Sequence, residues 1–296
     1  MDVLQVLLKE CHKRHIDIIT ETAVQSIEKV DDLFTVKTNQ VSYEAQKVVI
    51  ATGGLSYPHT GSTGDGQVMA KSFGHKIIPM KPALTPLKIK NYELVDMSGT
   101  SFEDLSYTLW RGGKKIGAYH GDFLLTHTGV SGPGIINHSR YMQAGDVIKC
   151  NFVGAESIEA FRSQLTKKLA AGGKTLVKTI VRDLNLTKRF ADKVLELCHI
   201  SDDLKCAEIS KVTRQKLLTI LTEYEMEVKE LGGYHVAMVT TGGVSIKEIK
   251  SKTMESKKVE NLYFVGEVLD IDGDTGGYNI QAAFSMGYIA SLAINA

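Results

Sequence analysis

Residues 261–294, "NLYFVGEVLDIDGDTGGYNIQAAFSMGYIASLAI", constrain the fold most tightly. An apolar strand ends at Gly266, a turn carries four carboxylates and four glycines, and an apolar helix is expected from about Tyr278 to Asn295. Glycine leaves backbone N–H groups uncovered, and a helix start leaves its first N–H donors unpaired, so this turn offers a donor-rich surface at a strand exit. Ala282, Ala283, Gly287 and Ala290 are small enough for close helix packing. Strand, turn and helix in this order belong to an α/β architecture. The string "ENLYF" is similar to the start of a tag-cleavage site, but Val265 follows where that site needs Gln, so it reads as native strand.

The same theme occurs earlier. "KVVIA" is a β-branched apolar run ending at Gly53 and Gly54, which suits a strand buried on both faces of a sheet. "GSTGDGQVMAKSFGH" is a glycine-rich turn entering a short helix, with Asp65 expected to cap a helix starting near Gln67. Upstream, Val3, Leu4, Leu7, Leu8 and Cys11 are spaced for a helix, and "IDIIT" changes the rhythm to a strand. Short strands follow, with turns at Asp31 and Asp32 and at Asn39 and Gln40. Pro79, Pro82 and Pro86 break the pattern and mark a boundary. Residues from about 87 to 155 read as strands, about 156 to 221 as helices, and "EMEVKELGGYHVAMVTTGG" as strands again. Two α/β pieces therefore flank a β-rich and helical insertion, with no solenoid repeat.

Lys and Arg total 35 against 34 for Asp and Glu, so the overall field draws the chain toward neither nucleic acid nor an anionic membrane. No apolar run approaches the ~18 residues of a membrane span. Lys167, Lys168, Lys174, Lys178, Arg182, Lys188, Arg189 and Lys193 make the helical region locally basic, opposed by Asp183 and Asp192. Without interleaved aromatic residues this reads as a solvated face and disfavours nucleic acid as a partner. Cys11, Cys150, Cys198 and Cys206 contain no Cys-x-x-Cys pair and are expected to be reduced thiols of a cytoplasmic protein. No metal site is expected: "CHISDDLKC" has too few ligands for zinc, and "DIDGDTGGYNIQ" has no terminal Glu for an EF-hand. The glycine-rich turns match neither G-x-G-x-x-G nor a P-loop, and Pro133 spoils a nucleophile elbow around Ser131. His59, His120, His127 and His138 lie in or beside these segments, and none is singled out as a catalytic acid or base.

In order along the chain, "ATGGLSYPHTGSTGDGQVMAKSFGH", "PALTPL", "LLTHTGVSGPGIINHSR", "VTTGGVSIKEI", "TMESK" and "LYFVGEVLDIDGDTGGYNIQAAFSMGYIAS" resemble the bacterial FAD-dependent oxidoreductase family that includes L-aminoacetone oxidase and BaiN-type reductases. The resemblance covers almost the whole chain. It implies an α/β fold: a partial Rossmann-like FAD-binding domain (residues 1–82 and 242–296) interrupted by a small β-barrel-like insert (83–155 and 222–241) and a helical insert (156–221). It places Ala51, Thr52, Gly53 and Gly54 along the cofactor. Gly266 and Glu267 stand where a carboxylate meets ribityl or ribose hydroxyls, and Gly276, Gly277, Tyr278 and Asn279 bring N–H groups to the pyrimidine edge of the isoalloxazine. Reduction puts negative charge near N1 and O2 of the ring, which a helix N-terminus stabilises.

The family begins with a strand, a G-x-G-x-x-G turn and a helix that hold the ADP half of FAD. These have no counterpart in the sequence, so a truncated form is expected, with apolar sheet edges exposed and open to self-association. The function implied is that of an FAD-dependent oxidoreductase acting on a small molecule, an amine or a C=C or C=O compound, with NAD(P)H or oxygen as redox partner. The alternative is a non-catalytic remnant or binding module unable to hold FAD by itself.

Overall fold

The computed structural model describes residues 2–295. The chain opens with α1 (Val3–Lys13), capped by the Asp2 carboxylate, which accepts from Leu4 N at 3.1 Å. An antiparallel sheet follows, made of β1 (Val24–Val30), β2 (Leu33–Thr38) and β3 (Ser42–Ala45). Next come β4 (Val48–Ile50), α2 (Asp65–Ser72), β5 (Ile77–Ala83), β6 (Leu87–Ile89), β7 (Ser101–Phe102), β8 (Ser106–Arg111), β9 (Lys114–Tyr119), β10 (Phe123–Leu125) and β11 (Gly129–Ser131). After α3 (Pro133–Ile136) and β12 (Val147–Asn151), four helices run in succession: α4 (Ile158–Ala171), α5 (Val177–Arg182), α6 (Lys188–Leu197) and α7 (Lys211–Glu223). Ser157, Thr187 and Ser210 begin α4, α6 and α7, each side-chain oxygen accepting a first-turn N–H. The chain ends in β13 (Tyr224–Leu231), β14 (Val239–Val244), β15 (Leu262–Phe264) and α8 (Tyr278–Ile294).

An eight-stranded antiparallel sheet, ordered β7-β10-β11-β6-β13-β12-β8-β9, shares a core with α4 to α7. Alternation drives it: Tyr107 and Leu109 of β8 and Ile148 and Cys150 of β12 point inward with Leu165, Val194, Leu217 and Met226. A second core joins Phe34, Ile50, Phe264, Val268, Met286 and Ala290, so β4, β15 and the inner face of α8 pack together. β15 runs parallel to β4, pairing Phe264 with Ile50, and β14 pairs antiparallel with β5.

Several expectations are corrected. Residues 16–20 form no strand: Ile16, Ile18 and Ile19 are exposed, with no neighbouring strand to complete a ladder among the described residues. β4 is not buried on both faces, because among the described residues it pairs only with β15 and leaves Val49 41% exposed. Asp65 does not cap α2; Gly64 holds the cap position and Asp65 instead accepts from Thr63 Oγ1 at 2.9 Å. Pro79 and Pro82 lie inside β5, which tolerates them because β14 is its only partner among the described residues and a bulge at Thr241 to Gly243 absorbs the irregularity. The basic helices meet more acid than expected: Lys178 pairs with Asp202, and Lys193 with both Asp96 and Glu196.

α8 is apolar all round, yet only one side is covered. Met286 and Ala290 are buried, whereas Ile280, Phe284, Tyr288 and Leu292, spaced four apart, are exposed. α1 likewise has no buried residue. A helix apolar on every side is normally enclosed, so this flank is an uncovered apolar surface.

Candidate cofactor site

The exits of β4 and β15 lie side by side because the two strands run parallel. Ala51 and Gly53 from one exit and Val265, Gly266 and Glu267 from the other line a groove whose far wall is α8, through Ile280, Ala283, Phe284, Gly287 and Tyr288. Its volume is about 700 Å³. A second lobe of about 430 Å³ shares Gly266, Glu267, Ile280 and Ala283 and continues past Met238, Ile271, Asp272, Gly273, Tyr278 and Asn279. Both volumes fall in the range of ligand pockets. Gly266 (φ 77°) and Gly277 (φ 89°) have left-handed backbones that only glycine adopts without strain. Gly277 is the cap of α8, and Tyr278, Asn279 and Ile280 of its first turn line the second lobe.

Glu267 stands between the lobes. Its Oε1 accepts from Thr240 N at 2.6 Å. Burial is the main cause that raises its pKa above the ordinary value, and the negative charge of Asp272 adds to it. Thr240, fully buried, also accepts through Oγ1 from Leu55 N at 2.7 Å and Ser56 N at 3.1 Å. A Cβ at Gly54 would lie 2.6 Å from Thr240 Oγ1 and 2.7 Å from Glu267 Oε1, so glycine there makes room for this junction.

Of the residues singled out from sequence, Ala51, Gly53, Gly266, Glu267, Tyr278 and Asn279 line the two lobes. Thr52, Gly54, Gly276 and Gly277 do not. Gly54 is buried beneath Glu267, Thr52 lies over Gly66 of α2, and Gly276 and Gly277 shape the entry to α8. Sequence reasoning missed Thr240, because the threonine pair in "VTTGGV" carries no pattern that announces a buried junction. It also missed Asn137 and Arg140. Asn137 Oδ1 accepts from both N and Oγ1 of Thr275 at 2.9 Å, and Arg140 bonds to Asp272 and Asp274.

The histidines lie apart from the groove lining. His120 pairs with Asp104 in the open, His59 packs edge-on to Tyr57, and His127 is exposed. His138 Nδ1 lies 2.7 Å from Gly134 O and 3.0 Å from the Tyr107 hydroxyl, within an aromatic group that includes Tyr119. Among the described residues, no three His, Cys, Asp or Glu side chains group as a metal site, and no helix is long and apolar enough to cross a membrane.

Parallel strands exiting onto a glycine-opened helix start, with a half-buried carboxylate between them, define a Rossmann-type α/β protein. The HI0933-like protein Rossmann domain model matches residues 1–293, and the chain belongs to that family. It is 32% identical over 299 residues to the ribosomal RNA dihydrouridine synthase of Haemophilus influenzae, covering 99% of this chain and 72% of the relative. The protein of the same name from Escherichia coli is 32% identical over 286 residues, covering 96% and 69%. The 3-dehydro-bile acid delta(4,6)-reductase of Clostridium scindens is 27% identical over 301 residues, covering 98% and 72%.

Proposed function

We propose that this chain is an FAD-dependent oxidoreductase that reduces a carbon–carbon double bond conjugated to a carbonyl. The observation that carries this is the convergence of Ala51 and Gly53, Gly266 and Glu267, and the start of α8 on one two-lobed groove. The residues fit a flavin. Gly53 and Gly266 leave the backbone bare beside the groove, Glu267 would offer a carboxylate to ribityl or ribose hydroxyls, and the first-turn N–H groups of α8 would serve as donors for the pyrimidine edge. When bound, the flavin would supply the hydride, and the protein's task is to orient it and to favour its negative charge.

The substrate class follows from the relatives' names. Making dihydrouridine and reducing a 3-oxo-4,6-diene both saturate a C=C bond in conjugation with C=O. A nicotinamide, NAD(P)H, is the matching electron donor for a reductase; in an amine oxidase the amine would be the donor and oxygen the acceptor. Four free thiols support a cytoplasmic location.

A second reading, a binding module that holds FAD poorly by itself, draws on the uncovered side of α8. Phe284 and Tyr288 wall the first lobe yet remain 60% and 66% exposed, so that lobe is open to water. Anaerobic incubation of the purified chain with FAD and NAD(P)H, against a 3-oxo-4-ene steroid and a uridine-containing RNA, separates the readings. Gain of two hydrogens by either substrate is the expected result. Flavin uptake without reduction of either substrate, together with oxidation of aminoacetone in a parallel aerobic reaction lacking NAD(P)H, would replace the reductase reading by an oxidase, and absence of flavin uptake would leave the binding module.

A further inference from the structure

We propose that Arg140 is a positioning residue for the flavin, clamping the 272–277 turn to the insert and offsetting the charge of Asp272 and Asp274 beside the ring seat. This rests on the flavin reading above. The turn before α8 concentrates carboxylates where a reduced flavin would itself become negative. Arg140 answers two of them: one terminal nitrogen lies 3.0 Å from Asp272 Oδ2 and donates to the Asp272 carbonyl at 3.2 Å, and the other lies 2.9 Å from Asp274 Oδ1. Its side chain is only 13% exposed, and its Nε is buried without an acceptor, so it is held in place against a desolvation cost that a solvent-facing ion pair would not carry.

The surrounding bonds make the turn rigid. Lys81 Nζ donates to the Arg140 carbonyl at 2.5 Å, fixing the backbone that presents the guanidinium. Asn137, one helical turn earlier, receives Thr275, and Thr241 Oγ1 donates to Asp272 Oδ1 at 3.1 Å. From the other side Asn279 closes on Gly273, Oδ1 accepting from its N–H at 2.7 Å and Nδ2 donating to its carbonyl at 3.0 Å. Arg140 follows α3, whose Ile135 belongs to the core of the eight-stranded sheet, while α8 belongs to the other core. The clamp therefore sets the start of α8 relative to the insert, and a small displacement there would misplace the N–H groups facing the ring.

The test compares R140K, R140Q and the triple variant R140Q/D272N/D274N with the wild-type chain. Without added flavin, exchange of the Gly273 and Thr275 amides, which donate to Asn279 and Asn137, should quicken about tenfold or more in R140Q, stay slow in R140K, and return toward wild type in the triple variant, while β8 and β12 are unchanged. In FAD-loaded protein, the reduction potential should move to more negative values in R140Q and return in the triple variant. Unchanged exchange in R140Q, or failure of the triple variant to restore it, would overturn the clamp. An unshifted potential in R140Q would overturn the charge role. A wild-type chain that takes up no FAD would defeat the flavin reading, while the exchange result would still decide the clamp.

Discussion

The backbone N–H of Thr240 donates to Glu267 Oε1 at 2.6 Å, while the hydroxyl of the same threonine accepts from the N–H groups of Leu55 and Ser56. One residue thus ties β14 to both strand exits, by its backbone to one and by its hydroxyl to the other. Thr240→Val keeps the shape but leaves two N–H groups without their acceptor, one of them in the buried residue Ser56. Leaving buried donors unpaired costs about 1–3 kcal/mol each, so T240V should unfold at clearly lower urea. Thr240→Ser, which keeps the hydroxyl, should lose less than half as much.

Glu267 should trade stability for binding. Burial raises its pKa above the ordinary 4.5, so the folded state holds the proton more readily than the unfolded chain. That contribution to stability is present below the unfolded value and is lost as pH rises through the folded one. At neutral pH the charged carboxylate is therefore a cost. Glu267→Gln, whose carbonyl still accepts from Thr240, should unfold at equal or higher urea at pH 7, with the difference closing near about pH 4. Loss of a charged acceptor worth about 1.5–3 kcal/mol should weaken FAD binding roughly tenfold to a hundredfold in calorimetric titrations.

His75 predicts acid sensitivity. Only 3% exposed, it faces Glu248 Oε2 at 3.2 Å through Nδ1 and Ser256 Oγ at 2.8 Å through Nε2. The grouping has the outline of a hydrolase triad, but Ser256 is buried and its oxygen accepts from Lys258 N and Val259 N, so it serves as a bridge between segments. Burial lowers the His75 pKa below 6.5, outweighing the opposing pull of Glu248. The unfolded chain then takes up the proton first, and stability should fall as pH drops from 6.5 toward the folded value. Urea unfolding across that window should show the slope in wild type and a flatter one in His75→Gln; equal slopes would remove His75 as the cause.

The strip formed by Ile280, Phe284, Tyr288 and Leu292 should make the chain associate as concentration rises, as exposed apolar surface does. Sedimentation velocity of Phe284→Lys with Tyr288→Lys should show less association than wild type. Their exposure means that the pair should change urea stability by no more than about 1 kcal/mol.

The sequence declares most of this architecture through period and punctuation. "NLYFVGE" and "VVIATGG" are short, apolar and stopped by glycine, and they become the parallel pair β15 and β4. The helices expected over about 156 to 221 form as α4 to α7. What stays illegible is what depends on partners far along the chain. Among the described residues "IDIIT" has strand composition but finds no neighbouring strand, and the prolines of β5 look like breakers until β14 is seen as the one strand paired with it there. Of the glycines singled out for the cofactor, only Gly53 and Gly266 line the groove, with Glu267 beside them. Its supports, Thr240, Asn137 and Arg140, are single polar residues whose roles arise from contacts 27 to 185 positions away.

Titration of FAD into the purified chain, followed by flavin absorbance and fluorescence and repeated with Glu267→Gln, tests the central claim most directly. Saturable uptake by the wild type, displaced by riboflavin better than by ADP and weakened by the substitution, is the predicted result. No saturable uptake, or binding that is indifferent to Glu267, would contradict it.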